Sequence, residues 1–131
     1  MRLVLDSSAV ITACLSPVAR ADLETHELIA PPILWSEVHS AMRGVVWRGE
    51  IKGSEMLAAL DVFWELPIAR RAPRRMYELA MELAERLGWV KTYDAEFLAL
   101  AEIEGGLVLT ADGRFRRGAE RTGLVIGPSE L

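Results

Sequence analysis

Asparagine and glutamine are absent from this sequence, and lysine occurs only as Lys52 and Lys91 against thirteen arginines. Depletion of heat-labile amides accompanies thermophily, and GC-rich codon usage gives the same arginine bias, so a thermophilic source is an open expectation. Cysteine is limited to Cys14, which excludes an internal disulfide and a thiolate metal site. The two histidines, His26 in a polar stretch and His39 isolated on a predicted helix, form no metal-binding or acid–base pair. Ser7 and Ser8 therefore lack a His–acid relay, and no glycine-rich phosphate loop of the Walker or Rossmann type occurs. No apolar run approaches the roughly 18 residues of a membrane span. The stretch Leu3-Val4-Leu5 meets Asp6 too soon for a signal peptide, so the cytoplasm is the expected compartment.

What remains is a chain of 131 residues, half of them apolar and a quarter charged. That balance suits one soluble domain, residues 1–131, with a core of its own. No internal repeat or linker divides it. Residues 2–5 predict a short buried strand, followed by a helix to about Leu15 with Ser7 or Ser8 as its cap. Pro17 breaks that helix, and residues 16–27 read as polar and irregular with a short helix around 19–26. Leu28-Ile29-Ala30 predicts a second strand, stopped by Pro31-Pro32. Helices follow over 33–48 and 54–64, then an edge strand at Leu66-Pro67-Ile68-Ala69, since proline cannot donate to a ladder. A helix over 73–87 has Pro73 in its first turn and Gly88 past its end. Thr92 is positioned to cap the next helix, which ends at Gly105-Gly106. A strand at 107–110, a helix at 113–121 and a strand at 124–126 complete the chain. Strands alternating with helices predict a parallel sheet covered on both faces.

Four acids stand where such a fold can gather them: Asp6, Glu37, Asp94 and Asp112. Asp6 and Asp112 follow the first strand and the 107–110 strand, at the carboxyl edge where parallel sheets bind ligands. Both positions also suit a plain helix cap or turn. Asp94 shares a helix face with Phe97, Leu98 and Ala101, which aims a charge toward the core; a first-turn Asp is also favoured by the helix dipole. Burying a carboxylate is costly unless it is paired or bound to metal. Glu37 lies beside the stripe Leu34, Val38, Met42 and Val45, a position that by itself reads as exposed. Gathered carboxylates repel unless a hard cation joins them, and an oxygen-only set suits Mg²⁺ or Mn²⁺.

The net charge is −4, yet setting those four acids aside leaves fifteen acids against fifteen bases. The bases cluster at Arg70, Arg71, Arg74 and Arg75, and again at Arg114, Arg116, Arg117 and Arg121. Such clusters are able to track a phosphate backbone, and they also occur as solvated helix ends. Trp35, Trp47, Trp64 and Trp89 are expected to fill the core or an oligomer interface.

The segments Val4-Leu5-Asp6-Ser7-Ser8-Ala9, Trp35-Ser36-Glu37-Val38, Thr92-Tyr93-Asp94-Ala95 and Leu109-Thr110-Ala111-Asp112 together resemble PIN-domain ribonucleases. The similarity is to the VapC toxins of type II toxin–antitoxin pairs in particular, in length and in motif order over nearly the whole chain. Leu66-Pro67-Ile68 and the arginines after it also resemble the middle of such toxins. The resemblance implies a three-layer α/β/α fold with a parallel sheet of about five strands. It implies an endoribonuclease dependent on Mg²⁺ or Mn²⁺, with Asp6 and Asp94 as the leading metal ligands and Glu37 and Asp112 completing the quartet. Ser7 and Thr110 are then expected to support the ligands, and Arg74, Arg75, Arg114 and Arg116 to hold the RNA backbone. A small antitoxin protein and a second copy of the chain are the implied partners. Many members carry a further acid soon after the position of Asp112, where this chain has Arg114, Phe115, Arg116 and Arg117.

Rival readings are a stand-alone RNA-processing nuclease of the same family and a catalytically silent binding domain. A phosphatase of the haloacid dehalogenase class expects a second Asp two residues after Asp6, and Ser8 stands there.

Overall fold

Leu3, Val4 and Leu5 of strand β1 (Arg2–Leu5) have no exposed surface in the computed structural model, which describes Met1–Leu131. A strand without polar alternation has to be covered on both faces, as the central strands of parallel sheets are. Accordingly β1 lies between β2 (Glu27–Ala30) and β4 (Leu107–Leu109), with Val4 opposite Ile29 on one side and Val108 on the other. β3 (Ile68–Arg70) flanks β2, and β5 (Val125–Ile126) flanks β4. The order is β3-β2-β1-β4-β5, with every pair parallel.

Seven helices cover this sheet: α1 (Ser7–Leu15), α2 (Pro17–Leu23), α3 (Ile33–Trp47), α4 (Gly53–Glu65), α5 (Arg74–Leu87), α6 (Tyr93–Glu104) and α7 (Gly113–Ala119). Helix α1 packs on α2, α3 and α4, whereas α6 packs on α5 and on strands β1 and β4. Right-handed crossovers place these two groups on opposite faces, giving the expected α/β/α layers. The chain walks outward through β1, β2 and β3, then returns to β4 and β5. Its direction reverses between β1 and β4, which opens a crevice beyond their carboxyl ends.

Helix α6 is the most enclosed. Ala95 and every residue from Phe97 to Ala101 are buried because the helix is held between the sheet and α5. A helix apolar all round is a core helix, so its sequence shows no single buried face. Asp94, expected to point into the core, is exposed at the helix's open end, and the acid that is buried is Glu96.

Local signals differ from expectation in four places, each for a physical reason. Asp6 caps α1 in place of Ser7 or Ser8, its carboxylate accepting the Ala9 amide at 2.9 Å. Thr92 occupies the cap position of α6 but in helical backbone geometry, and makes no side-chain cap bond. Ser16 caps α2 with Pro17 at its first position, so the proline that ends one helix begins the next. Strand β3 starts after Pro67, which has no amide to donate.

Glycine matters most at Gly106, where the chain enters β4. A Cβ there would meet the Arg2 carbonyl oxygen at 2.6 Å, a backbone atom of β1 that cannot swing aside. Gly106→Ala is expected to lower stability by about 1–3 kcal/mol through overpacking. Gly53→Ala, at a helix start with open space around it, should be neutral or slightly stabilising. Denaturant midpoints of the two variants check the contrast.

Candidate active site

Asp6 follows β1 directly, and its backbone amide donates to the Leu109 carbonyl of β4, which ties the two strand ends together. Its carboxylate is buried and takes donors from both elements. The Ser8 hydroxyl donates to Oδ1 at 2.7 Å, beside the Ala9 amide, and the Thr110 hydroxyl donates to Oδ2. Both hydroxyl oxygens also accept backbone amides from the turn after β4: Ser8 Oγ accepts from Ala111 at 2.9 Å, and Thr110 Oγ1 from Asp112 at 3.0 Å. The two hydroxyls therefore relay the position of Asp6 into the turn that carries Asp112. Asp112 in turn caps α7, its Oδ1 accepting from the Arg114 and Phe115 amides.

The other acids face the same crevice. Glu37 of α3, Asp94 of α6 and Asp112 line one cavity of about 650 Å³. The electrostatics bind all four together. Burial pushes the Glu37 carboxyl up to about 7, helped by the charges of Asp94, Asp6 and Glu96, while the Ser7 hydroxyl pulls the other way. Asp94 is raised by the cavity walls and then by Asp112; Asp6 is raised by burial against the pull of its Thr110, Ala9 and Ser8 donors, with Asp112 adding to the rise. Glu96 is raised by burial. No lysine, arginine or histidine forms an ion pair with any of these carboxylates. The donor set is thus oxygen-only, mutually repelling and uncompensated, which fits a hard divalent cation in chemical type. As the side chains stand, no three of them converge to ligating distance.

The supporting and basic residues fall less uniformly. Thr110 sits under Asp6 as described, and Ser7 acts on Glu37 rather than on Asp6. Arg114 lines the acidic cavity. Arg116 is engaged by Glu130, and Arg74 pairs along its own helix with Glu78 at 3.1 Å. Arg75 is exposed on α5 and does not line the cavity. Sequence reasoning passed over Ser8 as a support, because a serine two residues after an acid carries no signal until β4 is known to lie beside it. It passed over Glu96 for the reason given for α6.

The family model for the PIN domain matches residues 3–121. A fold with its switch point between β1 and β4 and carboxylates ranged along that edge is thus a PIN fold, and this chain belongs to the PIN domain family. The chain is similar to VapC ribonuclease Mb0985 of Mycobacterium bovis and to ribonuclease VapC9 of Mycobacterium tuberculosis. Each is 29% identical over 113 residues, covering 86% of this chain and 87% of the relative. Among solved structures, PAE2754 from Pyrobaculum aerophilum aligns with a TM-score of 0.74 at 17% identity, over all of this chain and 86% of that one. That likeness is one of fold.

Thr110→Val keeps the shape of the side chain but removes a donor from Asp6 and leaves the Asp112 amide without its acceptor. The expected cost is about 1–3 kcal/mol, read as a lower denaturant midpoint at unchanged slope. A second expectation concerns pH. Glu37 titrates near 4.5 when unfolded and at about 7 when folded. Between those values the folded state holds more protons, so stability of the metal-free protein falls as pH rises through this window and levels off above it. Allowing for solvent screening of a half-buried group, the fall is ~1–2 kcal/mol. Glu37→Gln should flatten it, as measured by thermal melts from pH 4.5 to 7.5.

Proposed function

We propose that this chain is an endoribonuclease toxin of a type II toxin–antitoxin module, with Asp6, Glu37, Asp94 and Asp112 holding Mg²⁺ or Mn²⁺. One observation carries the reading. Four electrostatically coupled carboxylates stand at the switch point of the sheet with no basic partner, in a PIN-family chain whose relatives are named VapC ribonucleases. PIN-domain nucleases generally use divalent metals. When bound, such an ion polarises the phosphodiester and lowers the pKa of a water.

The protein's own contribution is arrangement. Asp6 is held in one orientation by Ser8, Thr110 and the Ala9 amide, so it has little freedom to swing away. Asp112 is fixed by its cap bonds and by the turn leaning on the same hydroxyls. Glu37 and Asp94 approach from the two helical layers, one on each side. Ser7 and Thr110 support the ligands, and Arg114, which lines the same cavity as Glu37, Asp94 and Asp112, holds the RNA backbone. Hydrolysis by an activated water has no need of the RNA 2′-hydroxyl.

The proposed partners are an RNA substrate, a small cognate antitoxin and a second copy of the chain, in the cytoplasm. No helix is long and apolar enough to cross a membrane. Trp47, Leu57 and Trp64 on α3 and α4 are largely exposed, and exposed aromatic surface of this kind supports protein–protein association. An antitoxin Arg or Lys entering the crevice would meet the carboxylates in place of the cation.

Expression of the chain alone should arrest growth, with cut RNA ends recoverable from the arrested cells. Asp6→Ala should abolish arrest and lower cleavage of RNA by about a hundredfold or more while its circular dichroism stays native. Mn²⁺ should raise the melting temperature of the wild type by mass action and that of Asp94→Asn much less. A folded Asp6→Ala that arrests growth as wild type does would overturn the proposed metal site.

A further inference from the structure

The cavity that holds the carboxylates has a second wall of a different character. Beside Glu37, Asp94 and Asp112 it is lined by Trp89, Lys91, Tyr93 and Arg114. Their backbone support is firm. Gly88 ends α5 in the left-handed conformation at φ 72°, and the Trp89 amide donates back to the Ala84 carbonyl at 2.8 Å. The Trp89 indole is anchored against Phe115, ring centres 6.0 Å apart, and lies over Gly118, where an added Cβ would touch it at 3.4 Å. Beyond this anchor the chain is open to solvent: Val90 is fully exposed and Tyr93 is 54% exposed.

Three groups on this wall have chemistry left unused. Tyr93 packs on no other ring, and its hydroxyl makes no hydrogen bond. Lys91 and the guanidinium of Arg114 form no ion pair, although three carboxylates line the same cavity. A free aromatic ring and two unengaged cations lining one cavity match one nucleotide of an unpaired strand, whose base stacks and whose phosphates carry the compensating charge. A base within a duplex is already stacked and paired, so it cannot present its face to Tyr93. A second cavity of about 500 Å³ between α1 and α3 is lined by Ser7, Ser8, Ser40, Gly44 and Arg48 among others, and no ring lines it.

We propose that Tyr93, with Lys91 and Arg114, forms a nucleotide subsite adjoining the carboxylates. It stacks the base of a single-stranded RNA on one side of the cleaved phosphate and thereby selects unpaired substrate. Trp89 is the buttress of that subsite. The proposal rests on the ribonuclease reading for the identity of the strand, and it adds which residues select it and from which side.

The test uses the full chain with Mn²⁺ and a labelled single-stranded RNA of about ten nucleotides spanning a mapped cut. Matched RNAs carry an abasic ribose on one or other side of the cut, and anisotropy of the same RNAs reports binding without requiring turnover. Tyr93→Ala should raise KM by between about 5- and 100-fold, with kcat within about threefold of wild type. Tyr93→Phe should behave as wild type, since the ring and not the hydroxyl is used. An abasic site on one side should raise the wild-type KM to a similar degree and add nothing to Tyr93→Ala; a duplex of the same sequence should be a poor substrate. Lys91→Ala and Arg114→Ala should each reduce the slope of log affinity against log salt by about 0.7. An unchanged KM in Tyr93→Ala, a kcat loss at unchanged KM, or a Tyr93→Phe as impaired as Tyr93→Ala would overturn the subsite. So would a Tyr93→Ala that loses a protein partner but still binds RNA as wild type does. Absence of wild-type cleavage would count against the ribonuclease reading itself. In that case Tyr93-dependent binding of single-stranded RNA would still support the subsite, and binding indifferent to Tyr93 would overturn it.

Discussion

Two hydroxyl groups hold the centre of this protein together. Ser8 and Thr110 each donate a hydrogen bond to the Asp6 carboxylate and each accept one from a backbone amide of the turn after β4. A buried carboxylate with fewer donors would be costly to keep ionised. With three donors it keeps a fixed orientation, and the same bonds set where Asp112 stands. Asp6 is thus both the cap of α1 and a member of the acidic row. The two roles are compatible because Oδ1 takes the cap bond and the Ser8 hydroxyl, while Oδ2 takes the Thr110 hydroxyl alone and keeps a lone pair.

The acidic row is assembled from both helical layers around this fixed point. Glu37 comes from the α1–α4 side, Asp94 from the α5–α6 side, and the strand ends supply Asp6 and Asp112. Burial raises the pKa of Glu37, Asp94 and Asp6, and the neighbouring carboxylates add to that rise. Asp6 and Asp112 follow strand ends and Asp94 lies in the first turn of α6, while Glu37 lies in the second turn of α3. Only Glu96 lies within the packed region of α6, and its neighbours Ala95 and Phe97 leave it little exposure.

Much of this was legible in the sequence because the signals are local. Unbroken apolar strands, prolines at helix starts and glycines at helix ends are each decided within a few residues, and the five strands fall where those signals place them. The row of four acids was legible from strand ends and from motif order. What was not legible depends on neighbours distant in sequence. The part played by Ser8 requires Thr110 alongside it, 102 positions away. The exposure of Asp94 and the burial of Glu96 require knowing that the middle of α6, from Ala95 to Ala101, is enclosed between the sheet and α5 while its first turn is open. Likewise nothing local distinguishes Arg114, which faces the acids, from Arg116, which is engaged by Glu130.

The pairing of β1 with β4 also has a consequence for biosynthesis. Leu3 is registered on Leu107, so the first strand has to wait for nearly the whole chain before its central partner exists. Long-range parallel pairings of this kind form slowly, since the loop must close before the contacts reward it. At a translation rate of about 5–20 residues per second, roughly 5–20 s separate the emergence of Asp6 from that of Thr110 and Asp112. The edge at which Asp6 meets Thr110 is therefore completed only after the segment that carries β4 has closed against the first strand.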